Sequence, residues 1–231
     1  MIVLGVTGNL ASGKTAVAEA FHKMGAKVIN ADALARKLIR KGTPIHKAIV
    51  KIFGEKFLMK NKEIDRRKLA WHVFSNPGER KKLNILTHPG VILEVYQIIE
   101  KLKNKKGILV LDVPLLFESR MQKLVDVTLV VCSSEKDMLS RAARRGVPRE
   151  LAKKILASQW PLSKKARLSD YVIQNEGSLK ELEAKAKKIY EQLYTTVPCS
   201  GVPGSLFEPG SLVHGTQTTS LIKRRKYQDG H

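Results

Sequence analysis

The sequence predicts an α/β domain in three layers: a parallel five-stranded sheet with helices on both faces and a helical lobe inserted into it. Three observations carry that reading. Short apolar runs alternate with amphipathic stretches, as strands do when helices cross between them. The first run leads directly into a glycine-bearing loop and then an Ala-rich stretch of helical character. Between the second and third runs lies a long segment with helical periodicity and no convincing strand.

The elements follow in order. Ile2–Val6 reads as a buried strand, and Gly8 to Thr15 (Gly-Asn-Leu-Ala-Ser-Gly-Lys-Thr) fits the phosphate-loop pattern: two glycines separated by four residues, then lysine and a hydroxyl. In such a loop successive backbone N–H groups wrap a β-phosphate and the following helix N-terminus adds positive potential. Lys14 bridges β- and γ-oxygens, and Thr15 offers its hydroxyl to Mg²⁺. A glycine-rich turn can match this pattern by chance; the strand before it and the helix Thr15–Met24 after it supply the context that nucleotide binding requires. The second strand is Lys27–Asn30. The inserted lobe carries helical patterns around Ala33–Lys41, Pro44–Phe53, Asp65–Phe74 and His88–Lys103. The remaining strands are Ile108–Asp112, Val127–Val131 and Tyr171–Gln174, with helices at Glu135–Arg145 and Leu179–Leu193.

Open parallel sheets bind ligands at the carboxyl ends of their strands. That rule gathers Thr7, Asp32, Asp112 and Asn175 onto the edge that carries the phosphate loop. Asp112 closes an apolar strand in the manner of a Walker B carboxylate that supports Mg²⁺. Asp32 has two readings of equal standing here: a carboxylate that accepts the proton of an attacking hydroxyl, or the N-cap of the helix that follows. Arg141 and Arg145, four residues apart, project from one helix face. They suit a lid that closes over phosphates, and equally a solvent-exposed basic turn.

Composition narrows the class. The 231 residues suffice for one substantial core, and 43% hydrophobic with 27% charged is an ordinary globular balance. Two cysteines, Cys132 and Cys199, lack both metal-ligand spacing and the density of a secreted disulfide scaffold, so a cytoplasmic location is expected. No apolar run approaches the length of a membrane span, and the apolar start is too short for a signal peptide core. The net charge of +21 is concentrated: residues 33 to 105 carry 18 basic and 6 acidic side chains, and residues 141 to 168 carry 9 and 1. Such a field attracts polyanions, although most lysines of any protein simply solvate helix faces. Specific nucleic-acid binding is not expected, because the chain is only 6% aromatic and shows no base-stacking motif.

Taken together the motifs resemble the dephospho-coenzyme A kinases, from Ile2 to about Leu193. The marks are Thr7 through Thr15; Ile29-Asn30-Ala31-Asp32 with Ala35-Arg36; Ile64-Asp65-Arg66 with Leu69 and Val73-Phe74; and His88-Pro89. Further along come Asp112-Val113-Pro114-Leu115-Leu116-Phe117-Glu118, Arg141 with Arg145-Gly146, Ser158-Gln159, and Asp170 through Asn175 with Gly177-Ser178. The resemblance implies a P-loop kinase fold and a reaction in which ATP, with Mg²⁺, phosphorylates the ribose 3′-hydroxyl of dephospho-coenzyme A. It implies a core (1–32, 106–140, 169–194), a substrate lobe (33–105) and a lid (141–168). Of the residues, it implies Asp32, Lys14, Arg141 and Arg145 in catalysis. Gly8, Ala11, Ser12, Gly13, Lys14, Thr15, Ala16 and Asn175 would bind the nucleotide, Asn175 near the adenine. Thr7, Asp32, Arg36, Arg66, His88 and Glu118 would face the acceptor, and Thr15 and Asp112 the metal. It moves Asp32 toward the catalytic reading.

The chain departs from the family pattern in places. Ala11 stands where glycine is frequent, and Thr15-Ala16 replaces the usual Ser-Thr. Asn30 replaces the first Asp of Asp-Ala-Asp, which relieves like-charge repulsion beside Asp32, and Lys154 sits where arginine is common. The resemblance ends near Leu193. From Thr195 to His231, 17 of 37 residues are Gly, Pro, Ser or Thr, which reads as a disordered extension closing on the basic cluster Lys223-Arg224-Arg225-Lys226.

Overall fold

The computed structural model describes residues 1–195. Apart from Thr195, the extension expected at the carboxyl end, with Cys199 and the basic cluster, lies outside the described residues.

Five strands form one sheet, all parallel: β1 (Ile2–Thr7), β2 (Lys27–Asn30), β3 (Ile108–Asp112), β4 (Val127–Cys132) and β5 (Tyr171–Gln174). Their spatial order is β2-β3-β1-β4-β5, so the strand that feeds the phosphate loop is central. Alternation along the strands sorts side chains to two faces. Leu4, Val6, Ile108 and Val110 point to one, where they meet Val17 and Phe21 of α1 (Lys14–Lys23) and Leu182 and Ile189 of α9 (Leu179–Thr195). Val3, Leu109 and Leu111 point to the other, against Ala31 of α2 (Ala31–Leu38) and Val91 and Val95 of α5 (Pro77–Leu102). Burying both faces is why these strands read as continuous apolar runs.

The segment between β2 and β3 is helical, as expected. With α3 (Pro44–Phe53) and α4 (Arg66–Ser75) it builds a small core of its own from Ile49, Phe53, Phe57, Ile64, Leu69 and Val73. One boundary differs from the sequence reading. The helix expected from His88 begins at Pro77 and runs straight through Pro89. Proline lacks the N–H that would bond Ile85, which made His88 look like an entry point. Packing outweighs that loss: a Cβ on the next residue, Gly90, would lie 3.0 Å from Ile45 and 3.3 Å from Leu38, so α5 passes close against α2 and α3 there.

After β4 come α6 (Glu135–Arg144), α7 (Arg149–Ser158) and α8 (Leu162–Leu168). The first two pack on the phosphate loop through Ala142 and Ala152, which meet Leu10 and Ala11. By contrast α8 sits on the sheet itself, with Leu162 and Ala166 against Val130, Cys132 and Val172.

Candidate active site

The phosphate loop is shaped by what surrounds it. Gly8 has φ of 153°, and a Cβ there would lie 2.6 Å from the Val131 carbonyl. Gly13, at φ 107°, would place a Cβ 2.3 Å from Nδ2 of Asn175. Both positions therefore need glycine for space as well as for backbone freedom. Ala11 adopts φ 55° although it has a Cβ, and its buried methyl fills the contact with Ala142 and Ala152. Left-handed backbone costs an L-residue about 1–2 kcal/mol, so this packing offsets the absence of the glycine frequent in similar sequences. Lys14, Thr15 and Ala16 occupy the first turn of α1, with the Lys14 side chain only 9% exposed.

Three strand ends meet at Asp112. Its Oδ2 accepts from the Thr15 hydroxyl at 3.0 Å and from Nδ2 of Asn30 at 2.8 Å. Asn30 and Asp112 are register partners across β2 and β3, which puts that contact within reach. Oδ1 of Asp112 is buried and has no partner among the described residues. Burial raises the Asp112 carboxyl above its ordinary value, Lys14 and the Thr15 hydrogen bond pull it back, Asp32 pushes it up and the Asn30 bond lowers it again. A hydroxyl and an orphaned carboxylate oxygen beside a phosphate loop are the oxygen donors a hard divalent cation takes, directly or through its water, so the residues fit Mg²⁺.

Asn30 removes the cap reading of Asp32. Its Oδ1 accepts from Ala33 N at 2.8 Å, which makes Asn30 the N-cap of α2. Asp32 is left free in the first helical turn, exposed to the cleft. The relief expected from having Asn at position 30 falls on Asp112, which it touches, rather than on Asp32.

Lys14 and Asp32 line one cleft of about 540 Å³ with Arg66, His88 and Glu118. Burial lowers the Lys14 ammonium from its ordinary value; Asp112 and then Asp32 oppose that, while Lys165 and Arg145 add to it. His88 is lowered too, by burial alone. Arg36 lies in an adjoining hollow of about 360 Å³ with Arg40 and Arg66. The cleft and its extension thus carry a surplus of cations suited to pyrophosphate groups.

The structure keeps several expected site residues out of this cleft. Thr7 is wholly buried and donates its hydroxyl to the Pro114 carbonyl at 3.2 Å. Asn175 is buried beneath the phosphate loop, its Nδ2 donating to the Ser12 carbonyl at 2.7 Å, so its side chain supports the loop instead of facing an adenine. Arg141 is turned to the ends of β4 and β5, donating to the Ser133 hydroxyl at 2.9 Å and to the Asn175 carbonyl at 3.3 Å. Arg145, at the C-cap of α6, is exposed. Glu118 reaches the cleft but its Oε1 is engaged with the Lys165 ammonium and the Trp160 N–H, both at 2.9 Å.

That last contact exposes what the sequence reading missed. Lys165 is 0% exposed, pairs with Glu118 and also donates to the Pro114 carbonyl at 2.9 Å. Burial lowers its ammonium, with Glu118 opposing. Gln159 and Trp160, between α7 and α8, bond the loop apex: Leu10 N donates to Oε1 of Gln159 at 2.9 Å, and Nδ2 of Asn9 to the Trp160 carbonyl at 3.3 Å. Only the motif Ser158-Gln159 hinted at this. Lysine is so seldom buried that nothing marked Lys165.

Comparison with known proteins agrees with the geometry. Residues 2–181 match the family model described as dephospho-CoA kinase. A protein of that name from Enterococcus faecalis is 36% identical over 191 residues, which is 82% of this chain and 96% of the relative. One from Geobacillus kaustophilus is 39% identical over 193 residues, covering 83% and 96%. Among solved structures, TT1252 from Thermus thermophilus superposes with a TM-score of 0.67 at 30% identity, covering 83% of this chain and 97% of that one. The dephospho-CoA kinase from Campylobacter jejuni gives 0.62 at 28% identity, covering 84% and 97%.

Proposed function

Because the chain belongs to the dephospho-CoA kinase family, we propose that it transfers the γ-phosphoryl group of ATP to the ribose 3′-hydroxyl of dephospho-CoA, giving CoA and ADP. The observation that carries the assignment of roles is the meeting of Lys14 and Asp32 in one cleft, from segments that follow β1 and β2 on either side of β3.

In this reading the loop amides and Lys14 hold the triphosphate, and Asp32 takes the proton of the acceptor hydroxyl as its oxygen bonds to phosphorus. The bond from phosphorus to the β-bridging oxygen breaks, and ADP carries the electron pair away. Mg²⁺, held by Thr15 and by Asp112 directly or through water, would neutralise charge on the β- and γ-oxygens. Arg66 and Arg80 on the cleft wall, with Arg36 and Arg40 beyond, face the acceptor's pyrophosphate. His88 borders the cleft as a neutral ring. Arg145 stands at the lid's edge, where closure would bring it over the transferred group.

The substrate lobe of this cytoplasmic enzyme is 33–105. The lid is 141–168, and within it α8 is seated on the sheet. Asp32→Asn tests the assignment: phosphoryl transfer falls by about two to four orders of magnitude, while ADP binding measured by calorimetry stays within threefold. Full turnover in that variant removes Asp32 from the mechanism.

A further inference from the structure

We propose that Gln159 is a positioning residue for phosphoryl transfer: its side-chain oxygen fixes the apex of the phosphate loop, so that the remaining amides are set for the nucleotide before it arrives. This rests on the ATP-binding reading of the cleft and adds a residue outside the loop on which that binding depends.

In a phosphate loop the N–H groups that converge on an anion must share a direction, and one that turns away needs another acceptor or leaves a buried donor unmade. Leu10 N donates to Oε1 of Gln159 at 2.9 Å, from 149 residues away in sequence. The neighbouring Asn9 donates through Nδ2 to the Trp160 carbonyl. Ala11, the next residue, holds φ 55° with its methyl against Ala142 and Ala152. Three consecutive residues of the apex are therefore held by the lid segment, and within the segment Gln159 supplies the side-chain acceptor.

Gln159 is itself held from behind. The Trp160 N–H donates to Oε1 of Glu118, which pairs with the wholly buried Lys165 of α8, and Lys165 and Thr7 both donate to the Pro114 carbonyl. Since α8 is packed on the sheet, these bonds tie the Gln159–Trp160 hinge to the core rather than to the outer part of the lid. The loop apex is thus braced by a segment tied to the sheet, and Ala152 of α7 packs against it as well. A connected run of hydrogen bonds at these positions favours one geometry, and preorganised donors stabilise charge without rearranging when it appears.

The test uses the full chain and two variants. Gln159→Ala removes the side chain; Gln159→Met keeps its length and packing but lacks the oxygen. Gln159 is partly exposed at the helix end, so both variants fold. Both are expected to weaken ADP binding by calorimetry about tenfold and to raise KM for ATP by the same factor, with KM for dephospho-CoA within twofold of the parent. A Gln159→Met variant that binds ADP as the parent does overturns the proposal, because the oxygen would then be irrelevant. An equal rise in KM for both substrates overturns it as well, since that reports a general loosening of the cleft. ADP calorimetry needs no acceptor, so a mistaken acceptor assignment would show as parent protein that binds ADP but does not turn over, and would leave this comparison intact.

Discussion

Replacing Lys165 by methionine probes the buried brace most severely. The ammonium is fully enclosed, pairs with a carboxylate that is itself only 13% exposed, at 2.9 Å, and donates at 2.9 Å to a backbone carbonyl. Methionine is close to it in length and volume, so packing is largely retained while the charge and its hydrogen-bond donors are removed. What remains is Glu118, whose buried Oε2 has no partner among the described residues and whose Oε1 keeps the bond from Trp160 N. Orphaning one member of a buried pair costs about 3–5 kcal/mol. For a domain of this size each kcal/mol shifts the melting temperature by about 2–4 °C, so Lys165→Met should melt roughly 6–20 °C below the parent. The pair Glu118→Gln with Lys165→Met removes the orphan charge but keeps an acceptor for Trp160, and should regain at least half of the loss. Thermal unfolding followed by circular dichroism at neutral pH measures both. A single variant melting within 2 °C of the parent would show that Glu118 and Lys165 are not a dry pair, and the brace argued above would lose its anchor.

Three further outcomes are expected. Gly13→Ala forces a Cβ to within 2.3 Å of Asn175 at φ 107°, so backbone strain and the lost Asn175–Ser12 bond together cost roughly 2–3 kcal/mol. Its ADP affinity, read by calorimetry, should fall at least tenfold, whereas Gly54→Ala, with φ 87° but no neighbour within 4 Å, should bind ADP normally. His88 is lowered below its ordinary 6.5 by burial, so the unfolded chain binds its proton first as pH falls. Stability is therefore lost through the window from 6.5 down to the lowered folded value and levels off below it; denaturant midpoints for His88→Gln should lack that part of the acid-side decline. Burial pushes the Cys132 thiol up to about 11, so at pH 8 it is unreactive, and Cys132→Ser should leave the extent of iodoacetamide labelling of the native protein unchanged.

Much of the fold was legible because the information is local. The strands β1, β3 and β4 are buried on both faces and read as apolar runs, and the phosphate loop after β1 and Asp112 at the end of β3 mark the sheet's working edge. The start of α5 was not legible, because Pro89 carries a strong local stop signal that tertiary packing around Gly90 overrides. The cap reading of Asp32 stayed open until Asn30 was seen to take the capping bond, through one hydrogen bond three residues long. The supports of the loop were the least legible. Asn175 reaches Ser12 across 163 residues and Gln159 reaches Leu10 across 149, and no local pattern encodes such pairings. Asn175 was accordingly placed near the phosphate loop, while its bond to Ser12 had no local sign.

The account stands on phosphoryl transfer from a triphosphate held at Lys14 to an alcohol held at Asp32. The most direct measurement is ADP release, coupled to a reporter, from ATP with dephospho-CoA as acceptor, followed by locating the new phosphate on the product by phosphorus NMR. The account predicts acceptor-dependent ADP release and a single new phosphomonoester at the ribose 3′ position. ADP release that ignores dephospho-CoA, or a phosphate placed elsewhere on it, would contradict it.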